Sequence, residues 1–155
     1  MWCAISRRRI IGPLFFETRI NAEAYQELIQ QFIALLQVDE RNCRFQQDSA
    51  TAHTAASTLV ILHECFGENL ISKGLWPPRS PDLTSPDFFL WSYLKDAVCR
   101  RNPRDLKQLK MNVTRAIEEV NEGTLRKVAR NMVKRVDKCI EINGHHFQHL
   151  TVNTG

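Results

Sequence analysis

Phe45-Gln46-Gln47-Asp48-Ser49-Ala50-Thr51-Ala52-His53 is the stretch on which the fold turns. Cys43 to Asp48 reads as a short strand, and the aspartate at its end opens a loop of small residues running to His53. Strand ends of open α/β sheets are where ligands bind, and small side chains let a backbone approach closely. A helix precedes this strand: Asn21 suits the N-cap, and Tyr25, Leu28, Ile29, Phe32, Leu35 and Leu36 recur at helical spacing on one face. The polar run Gln37 to Asn42 ends it. A second helix follows from Thr54 to Phe66, with Ala55, Leu59, Leu62 and Phe66 on one side and Gly67 as its stop. Leu70 to Trp76 is the next expected strand.

Farther out, Trp2 to Ser6 and Ile10 to Glu17 read as two strands joined by a turn at Arg7-Arg8-Arg9. Gly12-Pro13 interrupts the second, which argues against a central strand position before Leu14. Pro77-Pro78-Arg79-Ser80-Pro81-Asp82 excludes helix and central strand, because proline lacks the amide proton. A helix restarts at Ser85-Pro86-Asp87, with Ser85 as the expected cap and Pro86 in the favoured first position. It continues through Phe88, Trp91, Leu94 and Val98. Two amphipathic helices come after Asn102-Pro103. One carries Leu106, Leu109, Val113, Ile117 and Val120; the other carries Leu125, Val128, Met132, Val136 and Ile140 and stops at Gly144. Strands alternating with helices, then a helical tail, define an α/β chain.

At 155 residues and 18.0 kDa there is room for one domain with a real core. The content of 43% hydrophobic and 25% charged residues excludes global disorder. The formal charge of +4 is compatible with a polyanionic partner. Cys3, Cys43, Cys65, Cys99 and Cys139 are odd in number and never spaced as CxxC. That argues against a disulfide framework or zinc ribbon and suits a reducing compartment. The first nine residues place their charges after the apolar ones, the reverse of a signal peptide. No apolar run approaches the roughly 18 residues that span a bilayer. The expectation is a nuclear or cytoplasmic protein that is neither secreted nor membrane-bound, in which Asn112-Val113-Thr114 is a chance sequon.

Two acidic patches are not explained by packing. Asp48 ends a strand. Asp87 lies in the first turn of a helix, where the N-terminal dipole favours an ionised carboxylate. Two such aspartates brought together would repel, and a hard divalent cation removes that penalty. Each residue also has a plainer explanation: Asp48 as the cap of the next turn, Asp87 as a helix-dipole residue, Asp82 as a local turn or cap. Asp82 is second choice for the metal role. His53 is either a loop histidine bonded to the backbone or a group close to substrate.

Taken together, the block at 45–53 and the later Trp76-Pro77-Pro78-Arg79-Ser80-Pro81-Asp82-Leu83 with Ser85-Pro86-Asp87 closely resemble mariner-type transposases. The likeness extends from Trp2-Cys3-Ala4-Ile5-Ser6 to Asn143-Gly144-His145-His146-Phe147. It implies a ribonuclease H-like mixed sheet flanked by helices, with residues 1–100 as catalytic core and 101–155 as a C-terminal helical extension of the same domain. It also implies DNA as partner and Mg2+ or Mn2+ as cofactor. Asp48 matches the second and Asp87 the third carboxylate of the family's DDE/DDD site, with His53 and Asp82 supporting them. Ser49 stands where the family usually has asparagine or glycine. The family's first carboxylate sits on the first, central strand, upstream of the segment matching Met1, and nothing here corresponds to it. The family's N-terminal helix-turn-helix region is likewise unmatched. Without that strand the expected outcomes are direct pairing across the gap, a homodimer, or partial unfolding; the sequence does not choose among them.

In that family two metal ions, about 4 Å apart, activate a water or 3′-hydroxyl for in-line attack on a phosphodiester. Losing the shared first carboxylate misplaces the nucleophile, and small misplacements cost on the order of 100-fold in rate. The expectation is a transposase-derived nucleic-acid-binding fragment that is inactive alone. Alternatives are a recruited interaction or dimerisation module, or an active endonuclease if the reading frame extends upstream. From Phe88 to Gly144 there are thirteen Lys/Arg against seven Asp/Glu. Arg126, Lys127, Arg130, Lys134 and Arg135 crowd one helix, as a solvated face or as contacts to the phosphate backbone. His145, His146 and His149 match no strong zinc spacing. Trp76, Phe88, Phe89 and Trp91 read as core rather than base-stacking residues.

Overall fold

Asn21 starts the first long helix as its side chain predicts: its Oδ1 accepts from the Ala24 amide at 2.8 Å, and α1 runs over Ala22–Leu35. This computed structural model describes residues 1–17, 19–77 and 80–143. They gather into two compact units: Met1–Trp2 with Leu14–Ser80, and Cys3–Pro13 with the chain from Pro81 onward.

In the first unit α1 buries Tyr25, Leu28, Ile29 and Phe32, while Leu35 in its last turn is exposed. A 3-10 turn at Glu40–Asn42 leads to β3, which is Phe45–Gln46 rather than the longer strand expected from Cys43. β3 pairs in parallel with β4 (Leu70–Ile71), Phe45 beside Leu70 and Gln46 beside Ile71. Parallel neighbours need a crossover, and α2 (Ala56–Phe66) supplies it. α2 starts two residues later than expected, because Thr54 still belongs to a turn in which its amide bonds the Ala50 carbonyl. Gly67, at φ +51°, closes α2 in a conformation that favours glycine. β4 is also shorter than expected: after Ile71 the chain turns, and the amides of Leu75 and Trp76 both bond the Ser72 carbonyl. Stacked and tilted rings hold the core, with Phe32–Phe45 centroids at 5.3 Å, Phe45–Phe66 at 4.9 Å and Trp2 edge-on to Phe32 at 5.0 Å.

In the second unit, Cys3–Pro13 comes from a hairpin of β1 (Trp2–Ile5) and β2 (Ile10–Leu14). Ser6 makes its turn, accepting on Oγ from the amides of Arg8 and Arg9. Gly12-Pro13, a cis peptide, lies within β2, whose ladder partner among the described residues is β1 alone. A chain without an amide proton at Pro13 fits such an edge position. Next come a 3-10 turn at Pro81–Leu83, a π-helical turn at Pro86–Leu90 and α3 (Trp91–Arg101). α4 (Leu106–Glu118) and α5 (Glu122–Glu141) follow, capped by Asp105 and Asn121. Arg101 ties α3 to α4, donating to both Glu119 oxygens at 2.7 and 2.9 Å and to the Asn112 carbonyl. Leu90, Leu94, Val113, Ala116, Ile117 and Leu125 are buried. Leu106, Leu109 and Ile140 are exposed, against the expected apolar faces. Periodicity says which residues share a helix face, but not how far along the helix that face is covered. The Gly144 stop and His145, His146 and His149 lie outside the described residues.

Candidate functional site

Asp48 stands two residues past the end of β3, in a loop held by other residues of the first unit. Its Oδ1 accepts from the Ala50 amide at 3.1 Å and from Nδ1 of His53 at 2.5 Å. Both donors fall on Oδ1, and half of the Asp48 side chain stays exposed. The His53 ring stacks on Tyr25 of α1, centroids 4.1 Å apart. Thr58 of α2 donates to the Ala52 carbonyl at 3.0 Å, and Thr54 Oγ1 to that of Ala50. His53 therefore orients Asp48 through its ring, while its own carbonyl accepts from Gln47 Nε2 at 2.9 Å.

Gln47 is the hub that sequence reading missed. Its side chain is buried and fully used: Oε1 accepts from the Tyr25 hydroxyl, and Nε2 also donates to Ser72 Oγ, both at 2.9 Å. Its backbone amide extends the β3–β4 pairing by bonding the Ile71 carbonyl. Strand alternation carries the signal that could have found it, since Gln47 shares a face with buried Phe45. A polar side chain on a core face must find partners. Burial raises the Tyr25 phenol well above the usual tyrosine range, and the Asp48 carboxylate adds to the shift.

Asp87 belongs to the second unit and lies exposed at a helix start that differs from the expected one. Ser85 has helical backbone angles and makes no capping bond. The amides of Asp87 and Phe88 both bond the Thr84 carbonyl, so the first turn closes on the residue before the expected cap. The Trp91 amide reaches back five residues to the Pro86 carbonyl, a wide turn of the kind that recurs at functional sites. Asp82 is buried in the preceding turn, where Nη1 of Arg135 donates to its carbonyl at 3.1 Å and stands 3.7 Å from its Oδ1.

Of the five basic residues singled out on α5, Arg126, Lys127, Arg130 and Lys134 are exposed. Arg126 pairs with Glu122 one turn back. Arg135 differs: its side chain is 12% exposed, and its guanidinium carbon lies 4.4 Å above the Phe88 ring. Phe89 stacks on Tyr93, and Trp76 and Trp91 are half-buried. Among the described residues no three His, Cys, Asp or Glu side chains gather as a metal-ligand set. Nor is any helix among them long and apolar enough to cross a membrane.

No protein-family model matches the chain. It is 28% identical over 149 residues to the transposable element Tc3 transposase of Caenorhabditis elegans, spanning 94% of this chain and 44% of that protein. The chain thus spans less than half the length of this curated relative. Its fold matches the Mos1 transposase catalytic domain solved with raltegravir and Mn, at a TM-score of 0.72 and 20% identity, over 90% of this chain and 70% of that one. A crystal structure of the catalytic domain of the Mos1 mariner transposase matches at 0.71, again with 20% identity, over 90% and 69%. The same domain with raltegravir and Mg matches at 0.72 and 18% identity, over 90% and 70%. The architecture is that α/β, ribonuclease H-like one.

Proposed function

We propose, from its likeness to mariner-type transposases in sequence and in fold, that this chain is a transposase-derived nucleic-acid-binding domain that does not cut DNA by itself. One observation carries the reading: an exposed carboxylate just past the end of β3, held in place by His53 and the Gln47 network.

Asp48 and Asp87 each lend a carboxylate to Mg2+ or Mn2+, the ions named with the Mos1 catalytic domain. The donor chemistry fits, since aspartate oxygens are hard ligands and, among the described residues, the neighbours of Asp48 engage only Oδ1. A bound ion supplies charge neutralisation at a phosphodiester and activation of an attacking hydroxyl. The chain's own residues do the rest. His53 orients Asp48, Asp82 supports the turn before Asp87, and Arg126, Lys127, Arg130 and Lys134 hold the phosphate backbone. Residues 1–100 serve as the core and 101–155 as its helical extension, acting in the nucleus. Residues 1–155 carry matches to two of the family's three carboxylates, so metal binding is weak and cleavage absent.

A nicking assay with Mg2+ or Mn2+ tests this on the chain and its Asp48→Ala form. The expected result is no cleavage by either; cleavage that vanishes with the substitution would overturn the inactivity. Retention on a DNA column should fall steeply with salt, and indifference to salt counts against DNA binding. A second reading, self-association, draws on Val133 and Ile140, left 61% and 71% exposed on α5. A native mass at twice 18.0 kDa would favour it.

A further inference from the structure

Along α5 the buried or half-buried positions Leu125, Val128, Met132 and Arg135 follow one another at intervals of three and four residues. Arg135 therefore stands on the inward stripe of the helix, apart from Lys127, Arg130 and Lys134 on the exposed face. We infer that Arg135 is a positioning residue: its guanidinium fixes the turn that presents Asp87. It holds the chain on both sides of that aspartate. Before it, Nη1 donates to the Asp82 carbonyl at 3.1 Å and faces the Asp82 carboxylate at 3.7 Å. After it, the guanidinium plane covers the Phe88 ring, with Cζ 4.4 Å from the centroid. Between these two grips lies the first turn of the helix, whose Asp87 and Phe88 amides share the Thr84 carbonyl. The pair is nearly dry, the Asp82 side chain 5% exposed and that of Arg135 12%. Burial lowers the Arg135 pKa and the Asp82 charge opposes the shift, as an enclosed ion pair requires. Lysine keeps the charge but has no plane to lay on a ring and no fork to reach a carbonyl at the same time.

Hydrogen exchange on the full chain, read peptide by peptide, tests the inference with Arg135→Lys and Arg135→Ala. Amides of residues 84–91 should exchange at least about tenfold faster, while those of α4 around Val113 and Ala116 keep their rates. Unchanged exchange over 84–91 in both variants overturns it. So does an acceleration spread equally over α3 and α4, which is general loss of packing. The role of Asp87 as a metal carboxylate is a separate matter, and a Mn2+ titration keeps the two apart. If Asp87→Asn leaves Mn2+ affinity unchanged, the metal reading fails and exchange alone decides on Arg135. If Asp87→Asn weakens binding, Arg135→Lys should weaken it by about tenfold as well, and undiminished affinity overturns the positioning role.

Discussion

Tyr25 and Gln47 meet phenol to amide at 2.9 Å beneath the Asp48 loop, and both are buried. Tyr25→Phe removes the donor and leaves Gln47 Oε1 without it in a dry site, at a cost of about 1–2 kcal/mol. A urea midpoint equal to that of the wild type would show that the network does not brace the loop. Cys3 offers a pH test. Burial pushes its thiol up to about 12, so the folded chain keeps a proton that the unfolded chain releases near pH 9. Between those values the unfolded state binds fewer protons, so stability falls as pH rises through the window. Cys3→Ser should flatten that decline, as followed by thermal melts from pH 8 to 11. The place of Asp48 just past a strand was legible in the sequence, and its bond to the Ala50 amide is the turn cap that was its plainer reading. Tyr25 was not, because helical spacing lists it with Leu28, Ile29 and Phe32 and says nothing of its hydroxyl. Arg135 was grouped with the basic face because charge is local in sequence, while its partner Asp82 lies fifty-three residues away.

Helix starts separate two kinds of capping residue. Asn121 Oδ1 accepts from the Thr124 amide at 2.9 Å, so Asn121→Ala should cost about 1 kcal/mol. Ser85 makes no such bond, and Ser85→Ala should stay within about 0.5 kcal/mol. Equal losses from the two, measured by chemical denaturation, would contradict the difference in their geometry. The Ser-Pro-Asp pattern points to a helix at the right place, and α3 with its π-helical first turn is there. It misses the start because the Thr84 carbonyl, a backbone group invisible to side-chain patterns, takes the first amides. α1 matched its expected start because the signal and the bond belong to the same side chain, Asn21. The strands were read too long at both β3 and β4, since the Cys43 amide closes on the Glu40 carbonyl before one and the Leu75 and Trp76 amides close on Ser72 after the other.

The charge pattern of the chain predicts a binding mode as well as a partner. If Lys127, Arg130 and Lys134 each meet a phosphate, replacing all three with alanine should lower the slope of log affinity against log salt by about one unit per contact. A slope that does not change would assign those residues to plain solvation. The α/β class and the order of elements were legible in the sequence, and they agree with a fold shared with the Mos1 catalytic domain. The division into two compact units was not, because β1 and β2 are joined in sequence to the first unit while Cys3–Pro13 belongs to the second. The parallel pairing of β3 with β4 also governs the order of events during synthesis. α1 can coil as soon as it leaves the ribosome, but the partner of β3 does not exist until Leu70 has been made, nor the hydroxyl that takes the Gln47 amide until Ser72. A nascent chain halted in α2 carries Asp48 on a loose end, open to proteases between Ser49 and Thr54. One that has released Ser72 can close it.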